Sequence, residues 1–200
     1  SVIPDIDYGF LNDGTWVRRH KYDNLFHLPF GCSERPFGEY KQDLASDIAF
    51  VGTIYGTRQE FVNGLKQQFG NKFKVHNDIW GKDFDDLCQS VKVMVVPKFP
   101  MDDFYWTDAI YRILAAGGFL IHFALEGLKE EGFVMANQYI TYRSFGELVE
   151  SIKYFTDPKN EKEKKEIAER GRECVLDLFT YKKRLKDMLE IIKMDLIKKQ

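Results

Sequence analysis

One stretch narrows the possible folds of this chain more than any other. Val91-Lys92-Val93-Met94-Val95-Val96-Pro97 is followed, after a polar segment, by Ala109 to Ala116 and then Gly117-Gly118-Phe119-Leu120-Ile121-His122. The first run is short, apolar and β-branched, and a proline ends it. That is the pattern of a strand buried on both faces of a parallel sheet. Ala109 to Ala116 has helical composition, with Thr107 or Asp108 as its N-cap. The glycine pair stops the helix, and the next apolar run resumes as a strand. In an open α/β sheet the segment between strand and helix lies at a carboxyl strand end, where ligands bind. This one carries Asp102, Asp103, Tyr105, Trp106, Thr107 and Asp108, more polar groups than a plain connection needs.

The same alternation recurs along the chain. Asp47-Ile48-Ala49-Phe50-Val51-Gly52 reads as a buried strand leading through Thr53-Ile54-Tyr55-Gly56 into a helix, with Thr57 and Glu60 spaced as a capping box. Gly52, Gly56, Arg58 and the amides of that helix start would suit an anion, although G-x-G-x-x-G is absent. Phe73-Lys74-Val75-His76 is a third strand, with Ile79-Trp80-Gly81 after it. Trp80 there would either stack on a planar ring or pack at the rim. The helix from Asp83 to Ser90 opens with Asp83, Asp85 and Asp86, which read as its solvated first turn. Tyr139-Ile140-Thr141-Tyr142 is the last strand, and Ser144-Phe145-Gly146-Glu147 is a second capping box. A helix capped by Asn160 follows. From Thr180 onward a further amphipathic helix carries Leu185, Met188, Leu189 and Ile192 on one stripe. The expected fold is therefore α/β: a Rossmann-like parallel sheet flanked by helices, with two C-terminal helices.

Residues 1–23 read as an N-terminal extension and 24–200 as the main domain. Asp13-Gly14 suggests a hairpin turn with Thr15-Trp16-Val17 extended after it. Asp5 and Asp7 form a D-x-D, but no nucleotide-binding unit precedes it, so it reads as a solvated segment. The chain opens on Ser1 rather than Met, which leads us to expect a processed chain or a piece of a longer one. A net charge of -2 over 200 residues gives no electrostatic footprint for nucleic acid. The three cysteines are widely spaced without a CxxC, so neither zinc nor a disulfide framework is expected, and the cytoplasm fits. No apolar run reaches a membrane span, and no secretory leader is expected.

Several of these stretches, in order, resemble one family. They are Asp47 to Thr53 with Arg58, Trp106-Thr107-Asp108 with Ile110-Tyr111-Arg112, Gly117-Gly118-Phe119-Leu120, Glu126-Gly127-Leu128 and Phe145-Gly146-Glu147-Leu148. Phe26-His27-Leu28-Pro29-Phe30-Gly31-Cys32 and Thr180-Tyr181-Lys182-Lys183-Arg184 extend the likeness over roughly residues 24–192. Together they are similar to the C-terminal domain of GT-B glycosyltransferases, especially the CgeB-like group. The resemblance implies a domain that binds a nucleotide-diphosphate sugar, with that donor as substrate and no cofactor or metal ion. It implies Gly52, Thr53 and Arg58 near the diphosphate, and Thr107, Asp108, Tyr111 and Arg112 on the other side of the donor. Trp80 or its neighbour Ile79 would flank the base.

Two departures stand out. Related transferases often carry a Glu-x7-Glu pair where this chain has Phe104 and Arg112, and Arg112 can equally pair with Asp108 as a surface helix arginine. A complete enzyme of the family also has a second, N-terminal half, which residues 1–23 cannot form. That half would come from the same gene product or another chain. The expected function is sugar transfer from a nucleotide-diphosphate donor to an unknown acceptor. The alternative is a non-catalytic nucleotide-binding or partner-binding module. His27 and His122 read as structural histidines rather than a general base.

Overall fold

The computed structural model describes residues 6–34, 37–98 and 101–198. Asp5 of the D-x-D lies outside them. Five parallel strands form the main sheet: β3 (Ser46–Val51), β4 (Phe73–His76), β5 (Val91–Val96), β6 (Leu120–Phe123) and β7 (Ile140–Tyr142), in the order β4-β3-β5-β6-β7. A separate parallel pair is made by β1 (Gly9–Leu11) and β2 (Leu25–His27), joined through α1 (Gly14–His20).

Alternation along each buried strand feeds two cores. Ile48, Phe50, Val93, Val95 and Ile121 face α2 (Arg58–Phe69) and α6 (Phe145–Thr156), which contribute Val62, Leu65, Leu148 and Ile152. Ala49, Met94, Val96 and Leu120 face α3 (Gly81–Ser90), α4 (Ala109–Ala115) and α5 (Glu126–Glu130), with Phe84, Leu87, Ile110, Leu114 and Leu128. Helices on both faces leave no half of the sheet wet, which is why these strands read as continuous apolar runs. Gly117 ends α4 at φ +76°, a left-handed conformation that glycine adopts without a Cβ penalty. Its amide and that of Gly118 donate to the carbonyls of Leu114 and Ile113, both at 2.9 Å.

The last two helices are α7 (Glu161–Leu178) and α8 (Tyr181–Lys198). Between them the chain returns to its beginning. The Cys32 amide donates to the Phe179 carbonyl and the Tyr181 amide to the Cys32 carbonyl, each at 2.9 Å.

Several local expectations are corrected. Residues 15–17 are helical, not extended: the Asp13 carboxylate accepts from the Trp16 amide at 2.8 Å and caps α1. A parallel β1–β2 pair needs such a crossover, which a hairpin cannot supply. Thr57 sits in helical backbone conformation and makes no capping bond, so that capping box does not form. The Ser144 box does form in part. Its hydroxyl accepts from the Glu147 amide at 3.2 Å, while the Glu147 carboxylate reaches the Arg143 amide at 2.7 Å. Asp85 and Asp86 are buried rather than solvated; Asp86 accepts from the Glu39 amide and from Lys82 at 2.7 and 2.8 Å. Asn160 makes no capping bond and donates instead to the Tyr154 carbonyl. On α8 the anticipated stripe exists, yet Leu185 and Leu189 lie exposed.

Candidate functional site

Strand order reverses between β3 and β5, since β4 lies on one side of β3 and the later strands on the other. At such a switch point two connections diverge and leave a crevice outside the carboxyl strand ends. The connections here are residues 52–57 after β3 and 97–108 after β5.

The first holds Gly52, Thr53 and Arg58 together. Gly52 has φ +144°, and a Cβ added there would stand 3.6 Å from the Arg58 guanidinium. Arg58 donates from Nη1 to the Thr53 carbonyl at 3.0 Å, and its guanidinium lies 4.8 Å from the Tyr55 ring centroid. The helix-start cradle is partly closed. The amides of Arg58 and Gln59 donate to the carbonyls of Tyr55 and Gly56 at 3.1 Å.

The second group is Trp80, Asp108 and Arg112, which line a cavity of about 220 Å³ together with Asp85 and Tyr181. The Arg112 guanidinium is sandwiched between the Trp80 and Phe84 rings, at 4.6 and 4.3 Å from their centroids. It meets Asp108 at 3.4 Å, the anticipated i,i+4 pair. Trp80 remains 65% exposed, so most of the indole is open to a ligand. Asp108 makes no side-chain cap to α4, which leaves its carboxylate facing the cavity and Arg112. Thr107 is half-buried in the turn that leads into this group.

Tyr111 is placed beneath the site, not in it. It is fully buried and its hydroxyl accepts from Trp106 Nε1 at 2.9 Å and from Arg184 at 3.4 Å. Burial pushes its phenol pKa upward. Arg184, on α8, also donates to the Phe30 carbonyl at 3.1 Å and pairs with Glu131 at 2.9 Å. This network holds the 102–108 connection from below, and the Gly127 backbone packs so tightly on it that a Cβ would meet the Asp103 carbonyl. Sequence reasoning missed the network. Its trace was Arg184, a basic residue in the first turn of the last helix.

His27 and His122 lie within packed structure, each with a buried Nε2 that has no partner among the described residues. His122 is fully buried and donates from Nδ1 to the Phe123 carbonyl at 2.6 Å, and desolvation lowers its pKa to about 4. His27 is half-buried, edge-on to Trp106, and burial lowers its pKa too. Burial pushes the Cys32 and Cys174 thiols up to about 11, so neither is a ready nucleophile.

Residues 42–190 match a family model described as "Glycosyl transferase-like". No curated protein matches the chain in sequence. Among solved structures it is similar to a sucrose-phosphate synthase from Thermosynechococcus elongatus, with 16% identity and a TM-score of 0.64 over 96% of this chain and 58% of that one. It is similar to a glycosyltransferase from Rickettsia africae, with 14% identity and a TM-score of 0.70 over 95% of this chain and 64% of that one. Anabaena HepE, solved in complex with UDP-glucose, gives 10% identity and a TM-score of 0.70 over 94% of this chain and 64% of that one. The chain therefore spans about three fifths of the length of these structures, and the shared architecture is that of one GT-B half-domain.

Proposed function

This chain belongs to the glycosyl transferase-like family, and we propose that it is the donor-binding half of a glycosyltransferase that uses a nucleotide-diphosphate sugar. The observation that carries the proposal is the β3/β5 switch point: its β3 exit holds Gly52, Thr53 and Arg58 together, while Trp80, Asp108 and Arg112 form the wall of a separate cavity on the α3/α4 side. In the reaction the bond from the anomeric carbon to the diphosphate oxygen breaks and an acceptor oxygen takes its place. Negative charge grows on the departing diphosphate, and fixed cations stabilise it. Arg58 has that role in our reading, without a metal ion. Trp80 offers a ring face to the base, and Asp108 accepts from donor hydroxyls while Arg112 orients it. Thr107 contributes to the same wall, and Tyr111 positions it from beneath.

The acceptor side comes from a further segment, supplied by the same gene product or by another chain. That inference is supported by the length of the similar structures, of which this chain spans about three fifths. No described helix is long and apolar enough to cross a membrane, and we assign the protein to the cytoplasm, consistent with its three free, buried cysteines.

Calorimetric titration with nucleoside diphosphates and their sugars, with and without magnesium, tests the reading. UDP heads the panel because Anabaena HepE holds UDP-glucose. One diphosphate should bind, independently of magnesium and about tenfold or more weakly in Arg58→Ala and Asp108→Ala. Full-length protein that binds none of the panel would refute it.

A further inference from the structure

A further cavity, of about 250 Å³, opens at the same carboxyl edge outside the end of β6. Leu125, Phe133, Val134, Met135 and Tyr139 line it, between the start of α5 and the turn that leads into β7. None of the residues assigned to the donor lies on its wall. Arg143, which lines it, also lines the concavity of about 340 Å³ that holds Arg58 and Lys98 at the β3 and β5 exits, so the two are neighbours.

The wall is apolar and its shape is set in advance. Val134 and Met135 stand 53% and 57% exposed there. The turn that carries them spends its polar groups internally. The Val134 amide donates to Gln138 Oε1 at 2.9 Å, the Ala136 amide to the Tyr139 carbonyl at 2.8 Å, and the Thr141 hydroxyl to the Met135 sulfur at 3.2 Å. Ala136 holds φ +60°, a left-handed conformation that a residue with a Cβ keeps only where its neighbours fix it. The exception is Tyr139. It is 3% exposed, and its hydroxyl makes no hydrogen bond to a described residue. The oxygen is not sealed in, because the sealed unpartnered atoms are those of Thr15, His27, His76 and His122. Burial pushes the phenol up to about 12, so it stays a neutral donor. Glu126 faces Arg143 at 3.5 Å, and Lys129 lines the cavity with them. Charges of both signs give no field that favours an ion over a neutral body. An apolar wall with one placed hydrogen-bonding group is the usual form of a small-molecule site.

We propose that this cavity is an acceptor subsite, taking the apolar body of a neutral alcohol while Tyr139 supplies one hydrogen bond to its polar group. The acceptor role rests on the donor-binding function proposed for this chain; the binding of an alcohol does not. In the transfer the alcohol oxygen bonds to the anomeric carbon, the diphosphate oxygen leaves with the electron pair of the broken bond, and the hydroxyl proton passes to solvent water.

Isotope-labelled methionine methyls, read by NMR, report on both concavities, since Met135 lines this cavity and Met101 the one beside it. Titration with hexanol and benzyl alcohol should shift the Met135 methyl saturably and leave Met101 in place. Glycerol at equal concentration, which has no apolar body, should shift neither. Tyr139→Phe should weaken both alcohols about fivefold, and Val134→Lys, at an exposed position, about tenfold, with circular dichroism unchanged in both. With full-length protein and the nucleotide sugar that it binds, both alcohols should raise diphosphate release, and Val134→Lys should abolish the rise. A Met135 methyl that ignores both alcohols, or follows glycerol equally, would overturn the proposal, as would affinities that neither substitution moves. Full-length protein in which Met135 no longer responds would give the cavity to the added segment, against the proposal. Saturable binding without raised release would overturn the acceptor role. Met135 answering the alcohols while no nucleoside diphosphate shifts Met101 would count against the donor reading alone.

Discussion

Two concavities flank one sheet edge, and they treat their cations in opposite ways. On the α3/α4 side Arg112 is pressed between two rings, paired with Asp108 and only 22% exposed at its side chain. Below it Trp106, Tyr111, Arg184 and Glu131 form a buried polar frame. On the α2/α6 side Lys98 and Arg143 line a concavity of about 340 Å³, Lys98 5.1 Å from the Phe123 ring centroid and Arg143 67% exposed at its side chain beside Glu126. A guanidinium backed by packing and a carboxylate is a fixed, charge-balanced wall. The same charge on a solvated stem is an attractive field with little geometry of its own. Residue type alone does not separate the two; what lies behind the residue does.

The contrast should be plainest in stability. Arg184→Ala leaves the partly buried Glu131 without its partner and the Phe30 carbonyl without its donor, and we expect a loss of about 3 kcal/mol in urea unfolding. Arg143→Ala, on the open side, should stay within about 0.5 kcal/mol of wild type. Equal costs would erase the distinction.

The edge as a whole should also respond to acid. His122, at the end of β6, has its folded pKa depressed to about 4 from an ordinary 6.5. Below pH 6.5 the unfolded chain takes up a proton that the folded chain refuses, so stability present above that pH drains away down to about pH 4. The slope approaches about 1.4 kcal/mol per pH unit. His27 and His76, lowered by burial too, add in the same direction. Denaturant midpoints across this range check it, and a flat profile would contradict the burial of His122.

Smaller effects sharpen the comparison on the framed side. Tyr111→Phe removes the acceptor for Trp106 Nε1 and should cost about 1–3 kcal/mol, with nucleotide affinity falling because the 102–108 connection loosens. Trp80→Ala removes one ring from Arg112 and should cost only about 0.5–1 kcal/mol in stability. Its main effect should appear in calorimetry, as a several-fold loss in nucleotide affinity.

The sheet was legible because buried parallel strands write themselves as continuous apolar runs, as in 91–96 and 47–52, and glycines mark their exits. What was not legible depended on tertiary partners. Thr57 and Glu60 have capping-box spacing, but the backbone there turned helical one residue early and the carbonyls of Tyr55 and Gly56 took the amides. Asp86 looks like a solvated helix start until the strap at Glu39 covers it. In the site, the pairing of Asp108 with Arg112 followed from helical spacing, and Gly52 with Arg58 from a short loop. Tyr111 shares a helix with Arg112 yet points into the core, a facing fixed only by Trp106 and Arg184. Lys98 and Arg143 lie far apart in sequence, and only the β5-β6-β7 order brings them to one cavity.

The return of the chain to Cys32 also sets a clock. Besides its two backbone bonds there, the Cys32 thiol meets the Val175 carbonyl, 143 residues away in sequence. During synthesis, at about 5–20 residues per second, the Cys32 segment would wait on the order of ten seconds for its partner to be made. Until then the Phe30 carbonyl and the Tyr111 hydroxyl lack the Arg184 donor, and the nascent sheet edge is the part of the molecule a chaperone would meet.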